Sequence, residues 1–130
     1  MSVDTFDPGA LQGGLDPATV ADLCRAAARF DGENLDLTEL EQRRFAPLVT
    51  HAGWAEHVEQ FDDETLVQLI RLLTVGESAC AGWQAGEKSA VIVLVRALKG
   101  RGAFDTDLSR WIKAHTDNKF LPHGSLMDRL

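Results

Sequence analysis

Cysteine is scarce in this chain. Only Cys24 and Cys80 occur, so at most one disulfide could form. Both fall on apolar faces of predicted helices, where a free thiol behaves as a small hydrophobe. The expectation is two reduced, inert thiols in a reducing compartment rather than a disulfide-built scaffold. Long apolar runs are also missing. No stretch approaches the roughly 18 residues of a membrane span. The opening stretch, MSVDTFDPGALQGG, carries neither the basic nor the apolar region of a signal peptide. A cytoplasmic protein without a membrane partner is expected.

Strong chemical motifs are absent as well. There is no P-loop, dinucleotide fingerprint, HExxH, CxxC pair or GxSxG. The run FDGENLD begins like a calcium loop. It then places Leu35 and Asp36 where an EF-hand needs an oxygen ligand and a glycine, so the match fails. The same run, Asp31-Gly32 to Glu39, resembles the acidic inter-helix turn of the TerB-like helical family. No function is carried over from that short stretch.

A basic excess is lacking. The formal net charge is −7, unevenly spread. Residues 1–65 hold 14 acidic and 4 basic side chains, and residues 66–130 hold 6 and 9. The later basic residues, Arg96, Lys99, Arg101, Arg110, Lys113 and Lys119, span two predicted helices and leave room for a basic face. An acidic chain avoids nucleic acid on average, and no exposed aromatics are interleaved with these bases, so nucleic acid is not an expected partner.

What is present is an ordinary globular composition. The chain is 45% hydrophobic and 25% charged over 130 residues, which suits one domain with its own core. Residues 1–14 read as a loose lead-in and residues 15–130 as a single all-α domain. Asp16-Pro17 opens the first helix, with Val20, Leu23, Cys24, Ala27 and Phe30 in one stripe. Asp36 and Glu39 resemble a capping box for the second, with Leu35 and Leu40 as its staple and Leu37, Leu40, Phe45 and Leu48 as its face. Pro47 predicts a break near Ala46. A short helical piece through GWAEHVEQF gathers Trp54, Val58 and Phe61. Asp62 caps a long helix lined by Leu66, Leu69, Ile70, Leu73 and Cys80. Residues 81–87 follow as a loop.

Ala90 to Val95 has the β-branched content of a strand. No second strand pattern exists to satisfy its backbone, so a central helix ending at Gly100 is expected. Asp105 caps the last long helix, whose face holds Leu108, Trp111, Ile112 and His115. The tail DNKFLPHGSLMDRL is unusually apolar. Phe120, Leu121, Leu126, Met127 and Leu130 are expected to fold back onto the core around Pro122 and Gly124. The architecture expected is an irregular bundle of five or six helices with its C-terminal tail packed on the core.

Glu77 is the leading candidate site residue. It falls on the buried stripe one turn beyond Leu73, and a buried carboxylate needs a cation or a raised pKa. Arg71, Lys88 and Arg96 are the candidate cations for a structural ion pair; a catalytic or ligand-binding acid is the other reading. His57 and His115 are candidate pocket residues. Trp54 and Trp83 are either core-boundary residues with bonded N–H groups or partner anchors. A metal site of His51, His57 and Glu56 lacks zinc-like spacing, so no metal or other cofactor is expected. Two functions follow. The first is a small cytosolic helical protein–protein interaction or regulatory domain, with another protein as partner. The alternative is a small enzyme or ligand-binding protein with an inter-helix pocket using Glu77 and a histidine.

Overall fold

The computed structural model describes residues 15–50 and 53–122. His51, His123 and the tail residues Leu126, Met127 and Leu130 lie outside the described residues, as does the lead-in 1–14. Among the described residues there are six α-helices and no strand. They are α1 (Pro17–Arg29), α2 (Glu39–Phe45), α3 (Trp54–His57), α4 (Asp63–Ala79), α5 (Ala90–Gly100) and α6 (Thr106–His115). Short 3-10 turns cover Ala46–Val49, Val58–Gln60 and Gly86–Lys88.

Most helix starts are set by short-range chemistry. The carboxylates of Asp16, Asp62 and Asp105 each accept an N–H three residues on, at 3.3, 2.8 and 2.7 Å. Each satisfies a backbone donor that the first turn leaves without an intrahelical partner. Ser89 does the same for α5 by accepting from the Val91 N–H at 3.1 Å. That segment is therefore a helix, and Ala90, Val91, Ile92, Leu94, Val95 and Leu98 are buried along it.

The start of α2 differs from expectation. Thr38, not Asp36, is its N-cap, and the reciprocal bonds run between Thr38 and Glu41. Arg29 at the end of α1 also holds Glu41 at 3.0 Å, which favours this register. Leu40 forms no staple and is 74% exposed. Phe45 anchors the helix in the core. Leu40, five residues earlier, lies about 140° around the axis and faces water. At Pro47 the α-helix gives way to a 3-10 turn, as the missing N–H and ring clash require.

The core centres on α4, which packs against α1, α5 and α6, while α5 also packs against α3. Leu23, Phe45, Trp54, Leu66, Leu69, Ile70, Leu73, Leu94, Leu98 and Ile112 are all fully buried within it. The first part of the tail folds back as expected: Leu121 is fully buried and Phe120 packs half-buried against the same cluster. No helix of the described residues is long and apolar enough to cross a membrane.

Candidate functional site at the end of α4

Glu77 occupies the last turn of α4, on the face that carries Leu66, Leu69, Ile70 and Leu73 inward. It is 4% exposed. Ser89, the cap of α5, donates its hydroxyl to Oε2. Asn118 donates from Nδ2 to Oε1 at 3.1 Å. The ion pair with Arg71, Lys88 or Arg96 is not formed, and among the described residues no lysine or arginine is bridged to Glu77. Arg71 instead lies over the Trp111 ring, 5.7 Å from its centroid. Burial pushes the Glu77 carboxyl above its ordinary value. The bonds from Ser89 and Asn118 and the backbone at Ala85 oppose that rise.

Two chain segments are drawn to this acid. The first is the loop after α4. Trp83 is folded under it, fully buried, and its indole N–H donates to the Gln42 carbonyl at 2.9 Å. Gln84 then donates back to the carbonyls of Glu77 and Cys80 at 3.2 and 3.5 Å. Gly86 turns the chain with φ +56, a conformation that costs glycine little. The second is the segment after α6. Asn118 accepts the Phe120 N–H on Oδ1 at 2.9 Å, and donates to the Gly86 carbonyl at 2.9 Å as well as to Glu77. One amide side chain thus ties the tail, the loop and the acid together.

Between these segments lies a cavity of about 500 Å³ that opens to solvent. Glu77, Ser78, Gln84, Ala85, Gly86, Thr116, Asp117, Asn118, Lys119 and Phe120 line it. Ala85, Gly86 and Phe120 supply apolar wall, and Glu77 is its most deeply buried ionisable group. Asp117 and Lys119 are exposed at the rim. The volume falls inside the range of about 300–1,000 Å³ common for small-molecule sites.

The other sequence candidates are placed elsewhere. His115 stacks on Trp111 with ring centroids 4.1 Å apart, and its Nδ1 is 2.7 Å from the Trp111 carbonyl. His57 is half-buried at the end of α3. Neither histidine lines the cavity. Trp54 is fully buried, donates to the Leu48 carbonyl at 2.6 Å and packs against Phe61 at 6.3 Å. Trp83 is likewise buried, so both indoles sit in the core with bonded N–H groups. Cys24 and Cys80 are free, and burial raises both thiols above their ordinary value, which suppresses the nucleophilic thiolate.

Sequence reasoning located Glu77 but missed Asn118, Gln84 and Ser89. Ser89 carried a findable signal, a serine immediately before an apolar helical run. Asn118 and Gln84 carried none.

The chain matches no family model, no curated protein and no solved structure. The likeness of residues 31–39 to a TerB-like turn is local. There the Asp31 carboxylate accepts the Glu33 and Asn34 N–H groups, both at 2.8 Å, and Gly32 takes φ +96.

Proposed function

We propose that this protein is a small ligand-binding domain, with the cavity at the end of α4 as its site and Glu77 as the polar anchor. The observation that carries the reading is an ionisable side chain 4% exposed yet lining a cavity of about 500 Å³ that opens to solvent. An apolar wall with one or two deep polar groups is the usual composition of a small-molecule site. Glu77 supplies the deep polar group, and Ala85 and Phe120 supply the apolar contact.

Binding rather than catalysis is favoured by where the polar groups point. Ser89, Asn118 and Gln84 spend their donors on Glu77 and on loop carbonyls. Among the described residues no histidine stands beside the acid to exchange a proton with it. The interaction-domain reading has thinner support. Leu40 is the one large apolar side chain strongly exposed among the described residues, and single exposed leucines are common on any surface.

The test is a fragment screen by NMR on the isotopically labelled full chain. Binders should move the amides of Ala85, Gly86, Asn118 and Phe120 together and saturably. Hits that map consistently to another surface, or a library that never moves these amides, would refute the assignment.

A further inference from the structure

We infer that the ligand of this cavity is an organic monocation, a primary ammonium carried on an apolar body, whose charge pairs with Glu77. The inference rests on the ligand-binding reading above and names the chemistry that reading leaves open.

Three observations converge on it. The first is the valence of the carboxylate. It has about four lone-pair positions, and Ser89, Asn118 and the Ala85 backbone N–H occupy three of them. All three donors are neutral. Among the described residues no protein cation is bridged to Glu77, so none of them supplies its counter-charge. A buried acid in this state gains more from an incoming cation than from any neutral group.

The second is the helix end. Glu77 sits in the last turn of α4, where backbone carbonyls give the negative pole of the helix dipole. That turn carries no basic residue, although the last turns of α1, α2, α5 and α6 each carry at least one.

The third is the wall. Ala85 and Phe120 offer apolar contact beside the acid, so an alkyl or aryl body fits where a hydrated metal ion would lose its water without replacement. Asp117 at the rim adds attraction and Lys119 opposes it. Both are exposed, and exposed charges are screened by solvent far more than the buried one.

The experiment compares three probes of one shape: hexylammonium, 1-hexanol and hexanoate. Each is titrated into the labelled full chain at pH 8, following the amides of Gly86 and Phe120. Hexylammonium should bind at least tenfold more tightly than either of the others. Its affinity should fall between pH 8 and pH 4.5. The amine stays protonated throughout, whereas burial favours the protonated form of Glu77 as the pH is lowered. In E77Q the tenfold preference should vanish while weak hexanol binding persists. If hexanol or hexanoate binds as well as the amine, or if the amine shows no pH dependence in the wild-type chain, the cationic ligand is overturned and the cavity stands. If no probe moves these amides at any concentration, both the cationic ligand and the cavity assignment fail.

Discussion

The six-membered ring of Trp83 packs directly against Gly76. A methyl group at position 76 would fall 2.5 Å from Cε3 and nearer still to Cζ3. Gly76 lies inside α4 at the start of its last turn, and glycine within a helix costs about 1 kcal/mol relative to alanine. Here the missing side chain admits the ring, and the ring carries the loop that walls the cavity.

Gly76→Ala should therefore destabilise the protein despite its better helix propensity. Overpacking of this kind costs about 1–3 kcal/mol. Denaturant unfolding followed by tryptophan fluorescence measures it directly. Pairing Gly76→Ala with Trp83→Leu should recover part of the loss, because the smaller side chain makes room. Equal losses in both backgrounds would show that the two sites do not touch.

Glu77 should matter more for what it holds than for its charge. Glu77→Ala leaves the Ser89 hydroxyl and one Asn118 N–H without their acceptor, a loss of about 1–3 kcal/mol. Glu77→Gln should stay within about 1 kcal/mol of wild type, since its carbonyl can accept from Asn118 while its amide donates to Ser89. The two variants should also differ from wild type in pH dependence. A carboxyl whose folded value is raised binds its proton more tightly in the native state. Stability from this group is highest below its ordinary value and declines as pH rises towards the raised one. The carboxylates of Asp16, Asp31, Glu41 and Asp62, at helix starts and in the turn after α1, are lowered instead, chiefly by hydrogen bonds to their charged forms. Their contribution is present above their ordinary values and is lost as pH falls through the lowered ones. Glu77→Gln should remove the first slope and leave the acid-side loss unchanged. A melting profile of E77Q that overlays wild type from pH 4 to pH 8 would contradict the burial of this acid.

Arg101 is expected to act as a clamp that lysine cannot replace. Nη1 donates to the Phe61 carbonyl at 2.7 Å and to Asp63 at 3.0 Å, while Nη2 donates to the Val58 carbonyl at 2.8 Å. The guanidinium fork reaches both carbonyls at once, and an ammonium is a point donor. Arg101→Lys should cost about 1–3 kcal/mol. Hydrogen exchange should rise first at Val58–Phe61. Uniform acceleration across the whole chain would indicate a global effect rather than loss of a local clamp.

The sequence by itself determined the helices and most of their starts. Asp16, Asp62 and Asp105 each bond a donor three residues away, so the needed information is local. The all-α class followed from the same logic, because a lone strand at 90–95 would have had no partner for its backbone. Glu77 was legible for the periodic reason that it continues a buried stripe. At α2 two capping patterns competed within three residues, and Arg29, distant in the chain, favoured the Thr38–Glu41 pair.

Tertiary structure alone decided what surrounds Glu77. Ser89 and Asn118 reach it from 12 and 41 residues away, and Trp83 finds Gln42 from 41. Capping and periodicity act within about one helical turn and say nothing about which loop crosses which helix end. That choice is made by packing. Trp83 fits only where Gly76 leaves space, and its burial brings Ala85 and Gly86 over the end of α4. Leu121 buries itself and carries Asn118 with it. The cavity is the space those two placements leave between them.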